Sequence, residues 1–195
     1  MLTLLTRQAG AALRMLVVAT IALGLVYPLA VWGVAHVPGL ASQAEGSIVL
    51  GTDGTPVGST LIGIDPVAAD PANDPYFHSR PSASGDPATS GGSNKGGFDA
   101  DLLAAVEQRR SAIAQREGVS PDRVPADAVT ASASGVDPHI SLAYAELQVP
   151  RVARVTGLGE ERVRELVAAS TDHAVLGIFG ADGVNVTELN LAVAR

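Results

Sequence analysis

Apolar positions are distributed unevenly along the chain. Residues 15–35, MLVVATIALGLVYPLAVWGVA, carry no charge at all. At about 1.5 Å per residue this stretch makes a helix of roughly 32 Å, enough to cross a hydrocarbon core of about 30 Å. Tyr27 and Trp32 lie toward its far end, where amphipathic rings favour the membrane interface. Pro28 is tolerated in such a span and is expected to kink it. A signal peptide has a shorter apolar region of about 7–15 residues, so the stretch reads as an uncleaved anchor. Arg7 and Arg14 precede it, and no Lys or Arg follows until Arg80. Positive flanks stay in the cytoplasm. The expected organisation is a short cytoplasmic lead at 1–14, one transmembrane helix at 15–35 and a single extracytoplasmic domain at 36–195.

Within that domain the patterns change repeatedly. Ser47–Leu50 and Val57–Ile64 are apolar runs flanking Thr52-Asp53-Gly54-Thr55, a hairpin signal. Residues 65–97 are rich in Gly, Pro, Ser, Asp and Asn and predict a long loop, of the length that is usually either functional or disordered. Residues 99–117 predict a helix with Asp99 as its cap and Gly118 as its stop. Its apolar stripe is Leu102, Leu103, Val106 and Ile113, and Arg109, Arg110 and Arg116 are expected on its solvated face. After a punctuated stretch at 119–139, Ser141 is the expected cap of a helix to Val155, with Ala145, Val149, Val152 and Val155 inward. Pro150 is expected to kink or divide it. Residues 160–169 predict a short helix with Val163, Leu166 and Val167 on one face. Val175–Phe179 predicts a strand, and Val184–Val193 fits strand or helix. The fold class is α/β (α+β), carried on one N-terminal transmembrane helix.

Charge and composition narrow the function. The net charge is −7, and Lys95 is the only lysine. A nucleic-acid binder would show a basic footprint, so nucleic acid is excluded as a partner. The absence of cysteine excludes a disulfide framework, thiolate catalysis and Cys-ligated metal. Aromatic residues are only 4%, so the core must be built from Ala, Val, Leu and Ile.

No motif identifies an enzyme. Ser90-Gly91-Gly92-Ser93-Asn94-Lys95-Gly96-Gly97 precedes a helix as a phosphate cradle would, but the Walker spacing is absent, and a flexible or partner-shaped loop is favoured. Ser132, Ser134, Asp137 and His139 are the ingredients of a hydrolase triad, yet they lie within eight residues and lack a nucleophile elbow. His36, His78, His139 and His173 are dispersed, so no metal site is expected. Asp99 and Asp101 suit a helix N-terminus. Asn185-Val186-Thr187 is formally a glycosylation sequon. Arg80, Arg151 and Arg154 are able to grip acidic groups of a partner.

The polar stretches carry a more specific signal. Phe77-His78-Ser79-Arg80-Pro81-Ser82-Ala83 resembles the FxxRPSA signature of the C subunit of the Kdp-type potassium-transporting ATPase. Ser90-Gly91-Gly92-Ser93-Asn94 is similar to that family's SGGSN. Residues 124–141, VPADAVTASASGVDPHIS, resemble its VPADAVTASASGLDPHIS, with Val136 in place of the usual Leu. Lys95 likewise stands where the family commonly has an apolar residue. Ala145, Gln148 and Arg151-Val152-Ala153 resemble its AxxQxxRVA, and Val184-Asn185-Val186 with Leu189-Asn190-Leu191 its VNVxxLNL. The likeness runs over essentially the whole chain.

The resemblance implies a non-pumping accessory subunit of an ATP-driven potassium uptake complex in the bacterial plasma membrane. Its partners would be a potassium-channel-like subunit, a P-type ATPase subunit and optionally a small stabilising subunit. The family's role is that of a catalytic chaperone raising the ATPase subunit's affinity for ATP. ATP is thus implied through that subunit, and the arginine flanks argue against its direct contact with this chain. One helix cannot enclose a pore, and no DKTG phosphorylation motif is present. The loops 77–97 and 124–141 are the expected docking surfaces. The residues singled out are Phe77, Arg80, Pro81, Ser82, Ser90, Gly91, Gly92, Ser93, Asn94, Asp127, Ser132, Ser134, Gly135, Asp137, Pro138, His139, Gln148, Arg151, Asn185 and Asn190. The competing reading is an anchored extracytoplasmic hydrolase, with Ser132 or Ser134 and His139, or a binding protein.

Overall fold

A computed structural model describes residues 1–51 and 53–194. The chain divides into two compact units, 1–47 and 48 onward. In the first, helix α1 (Leu2–Ile21) runs through one π turn at Ala22–Val26 into α2 (Tyr27–Ala35). Together they form an apolar helix of 34 residues, long enough to cross a membrane. The wide turn sits just ahead of Pro28, whose ring crowds the carbonyl one turn earlier and which offers no N–H. A one-turn helix, α3 (Ala41–Ala44), follows.

The second unit opens with an antiparallel hairpin of β1 (Ile48–Leu50) and β2 (Pro56–Ser59), its register shifting after Val49. The expected second strand to Ile64 stops early. Gly63 instead donates its N–H to the Val136 carbonyl at 2.8 Å and packs so closely on the Asp137 carbonyl that any side chain there would overlap it. Residues 60–98 are irregular apart from one 3₁₀ turn at Pro71–Asn73. Then come α4 (Ala100–Glu117), α5 (Ala126–Val129), β3 (His139–Ile140), α6 (Leu142–Thr156), α7 (Glu160–Ala169), β4 (Thr171–Asp172), β5 (Gly183–Asn185) and α8 (Val186–Val193). The strands form an antiparallel sheet in the order β3-β5-β4. The core gathers Ile113 of α4, Tyr144, Val149 and Val152 of α6, Val163 and Val167 of α7, and Val184, Val186 and Leu189 of β5 and α8.

The helix ends follow from side-chain chemistry. Asp99 Oδ1 accepts the Leu102 N–H at 2.9 Å, and Gly118 closes α4 at φ +67°. Ser141 Oγ accepts the Tyr144 N–H at 3.0 Å. Asn185 ends β5 and caps α8, its Oδ1 accepting the Glu188 N–H at 3.2 Å. Residues 184–193 are therefore strand and then helix.

Four more expectations are corrected. The arginines of α4 do not form a solvated face: Arg109 and Arg110 donate to the Val129 and Val124 carbonyls, and Arg116 to the Tyr144 hydroxyl. Leu103, expected in the stripe, is half exposed, and the buried residues of α4 are Ile113 and Ala114 near its other end. Pro150 does not divide α6. It lies on the exposed side, where water can take the carbonyl it leaves unpaired. Val175–Phe179 is not a sheet strand. It closes on itself through an isolated Val175–Phe179 bridge, with its apolar side chains outward.

Candidate functional site

Two side-chain amides hold the start of the FxxRPSA stretch. Asn190 of α8 accepts the Phe77 N–H at 2.7 Å and donates to the Phe77 carbonyl at 2.9 Å. Gln148 of α6 does the same for His78, at 2.8 and 3.3 Å. Successive residues of an extended chain turn their peptide groups to opposite sides. Each carboxamide thus stands in for a neighbouring strand, one on either side. The Phe77 ring is fully buried as a result, and Gln148 has no accessible surface.

A charged network continues from Gln148. Its Oε1 also accepts from Arg151 Nη2 at 3.1 Å, while Arg151 Nη1 donates to the Asp74 carbonyl at 2.7 Å. Arg151 Nε reaches both Glu117 oxygens, at 3.2 and 3.0 Å. The Glu117 carboxylate is wholly inaccessible and also accepts from Arg116 Nε at 2.6 Å. His78 lies between Asp65, at 2.9 Å from Nδ1, and Asp74 at Nε2. Burial alone would raise the Asp74 carboxyl. The Tyr76 N–H, His78 and the Arg151 charge outweigh it and hold Asp74 below the usual carboxylate range. Burial pushes the Tyr144 phenol up, against the opposing pull of Arg116.

The second signature region closes over the first. Arg80 donates to Asp137 Oδ2 at 3.2 Å and to the Thr130 and Ala131 carbonyls at 3.4 Å, while its buried Nε meets no partner among the described residues. The Pro81 carbonyl accepts the Ser132 N–H, and Ser82 Oγ accepts the Gly85 N–H. Ser90 Oγ and the Gly91 N–H both donate to the Ser134 carbonyl, at 2.9 and 2.7 Å. A Cβ on Gly92 would stand 2.9 Å from the Ala133 carbonyl oxygen. One on Gly135, at φ +73°, would stand 2.7 Å from the Gly91 carbonyl oxygen. Asp127 accepts from both the N–H and the hydroxyl of Ser141, and the Pro138 carbonyl accepts the Val186 N–H. Asn185 Nδ2 donates to the Thr60 carbonyl at 2.9 Å, which buries the formal sequon. Ser93 and Asn94 stay exposed at the turn, Asn94 with φ +52°.

These contacts bear on the candidate chemistries. The Lys95 ammonium lies 3.2 Å from Asp99 and 2.9 Å from Asp101, and the Ser90 hydroxyl and Gly91 N–H are turned onto Ser134. A cleft of about 430 Å³ lies beside them, lined by Ser82, Ser93, Lys95, Asp101 and Arg109. Ser90 Oγ, the Gly91 N–H and the Lys95 ammonium are engaged within the chain, and the Gln148 side chain is sealed from solvent. The Ser132 and Ser134 hydroxyls bond each other at 3.0 Å, while His139 Nε2 bonds Asp172 at 2.8 Å. Among the described residues no serine hydroxyl reaches the His139 ring, which nucleophilic catalysis requires. No group of three or more His, Asp and Glu side chains among them is arranged to hold a metal ion. Sequence reasoning missed Asp65, Asp74, Arg116, Glu117 and Tyr144. Burial of a charge leaves no local pattern in sequence, and the Arg116–Glu117 pair reads as an ordinary helix end.

The molecule is thus of a definite class: an α+β domain following one helix of membrane-spanning length, whose signature residues build loop architecture. A family model described as "K+-transporting ATPase, c chain" matches residues 9–195. A potassium-transporting ATPase KdpC subunit of Kineococcus radiotolerans is 49% identical, covering 98% of this chain and 95% of that protein. The subunits of Polaromonas naphthalenivorans and Mycobacterium tuberculosis are 47% and 45% identical, covering 93% and 97% of this chain and 91% and 98% of their own lengths. The chain belongs to the KdpC family, the c chain of the potassium-transporting ATPase.

Proposed function

We propose that this chain is a non-pumping accessory subunit that assembles and stabilises a potassium-transporting P-type ATPase and raises the ATPase subunit's affinity for ATP. The N-terminal helix anchors it in the plasma membrane with the N-terminus in the cytoplasm, as the Arg7 and Arg14 flank favours. The domain from Ile48 on then lies outside and meets a potassium-channel-like subunit through the loops 77–97 and 124–141. Its effect on ATP affinity passes through the ATPase subunit, without nucleotide touching this chain.

One observation carries the reading. The most distinctive residues are consumed in architecture: Gln148, Arg151 and Asn190 hold the Asp74–His78 segment against α6 and α8, and Gly92 and Gly135 let the two loops approach closely. A shaped polar surface is the product, and it serves a partner better than a reaction. The chain has no cysteine, so Ser93→Cys and Phe98→Cys, at two exposed positions, report topology directly. An impermeant thiol reagent should label both in intact cells. Labelling only after lysis would overturn the orientation and restore the case for direct nucleotide contact.

A further inference from the structure

We infer that the 173–182 hairpin is a docking element whose occupant is an apolar recess with a basic rim on another subunit of the complex. This inference rests on the accessory-subunit reading. Val175, Leu176, Ile178 and Phe179 are 65%, 83%, 77% and 66% exposed. No charged residue stands between His173 and Asp182. The segment is built rather than slack. Val175 and Phe179 exchange N–H to carbonyl bonds at 2.9 and 3.0 Å, and Gly177 donates to the Ala174 carbonyl at 3.0 Å. At the base, Asp182 accepts from the Ala174 N–H at 2.9 Å and pairs with His173 Nδ1 at 3.1 Å. Leu176 is held at φ +55°, a conformation unfavourable for a side chain of its size. The fold thus maintains, against solvent and backbone preference, a rigid display of four large apolar groups. Pre-organised apolar display of this kind is what an interface anchor needs.

Charge selects among the occupants. From Ile48 on the chain carries 19 acidic and 11 basic residues, and Asp172 and Asp182 flank the tip. An anionic lipid surface would repel such a domain, and a second copy would present the same acids in return. A neighbouring subunit with an apolar recess ringed by Lys or Arg meets both features.

The test uses the full chain co-expressed with the other subunits. A photo-crosslinking benzoylphenylalanine at position 178 should form an adduct with one other subunit. Ile178→Asp with Phe179→Asp should lower co-purification by at least about tenfold. Because both side chains are exposed, the thermal midpoint of the isolated chain should not move. Adducts with lipid alone or with a second copy, no adduct, or unchanged co-purification would each overturn the inference. Failure of the unsubstituted chain to co-purify would instead remove the subunit reading, and this inference with it.

Discussion

Gln148 illustrates how a polar residue acquires a purely architectural task. Its amide pairs with both peptide groups of His78 and accepts from Arg151 in a place without solvent. Removing it leaves the His78 N–H and carbonyl and one Arg151 N–H unpaired, each a loss of about 1–3 kcal/mol. Gln148→Leu should therefore destabilise the full chain in detergent by about 3 kcal/mol, read as a lowered denaturant midpoint. An unchanged midpoint would mean that the clamp is not holding the loop. Asp74 makes a pH prediction of definite sign. Its folded-state carboxyl lies below its ordinary value, so the stability it supplies is fully present above about pH 4. It is lost as pH falls through the folded value, when protonation discharges the group facing His78 and Arg151. Stability followed from pH 6 downward should fall below about pH 4, and Asp74→Asn should shallow that limb while lowering the plateau at neutral pH. An acid limb of the same slope in Asp74→Asn would remove Asp74 from the account.

The elements were legible in sequence where their ends carry chemistry, and illegible where they do not. Asp99, Gly118 and Ser141 mark helix ends that the structure reproduces, because a cap acts on the residues beside it in sequence. Strands β3 and β4 are two residues each, too short for any alternation of apolar and polar positions to show. The run Val175–Phe179 looked like a strand because apolar residues usually seek the core. Here they are outside, and local pattern cannot distinguish an apolar run that is buried from one that is displayed. The candidate site divides the same way. Its residues were found by resemblance, whereas their partners Asp74 and Glu117 depend on contacts between distant segments. Glycines give a test at this scale. Gly135→Ala combines φ +73° with a methyl 2.7 Å from the Gly91 carbonyl oxygen, so it should cost about 2 kcal/mol and loosen the 82–97 loop to protease. Gly97→Ala, with open space and no left-handed backbone, should leave the midpoint within about 0.5 kcal/mol. Equal effects of the two would mean that the loops do not depend on this close approach.

At the scale of the whole molecule, the chain separates cleanly into a part that meets apolar surroundings and a part that makes its own. No residue of α1 or α2 is buried, and Leu, Val and Ile side chains are exposed along their length. Every member of the hydrophobic core lies between Phe77 and Leu189. The charged network linking Asp65, Asp74, His78, Glu117 and Arg151 is likewise confined to the second unit. The second unit therefore has a hydrophobic core and a charged network of its own. A helix of membrane-spanning length with no buried residue suits an apolar environment such as lipid or another subunit. A fragment beginning at Ser47 should express as a soluble protein and unfold cooperatively, with a midpoint within a few degrees of the full chain in detergent. It should no longer sediment with membranes when expressed alone. Its acidic surface should keep it monomeric at low salt, since like charges on two copies repel. Co-expressed with the other subunits, it should associate more weakly than the full chain, because losing the anchor removes the high effective concentration that tethering supplies. Aggregation of the fragment, or loss of its cooperative transition, would show that the helix contributes to the fold of the domain and not only to its location.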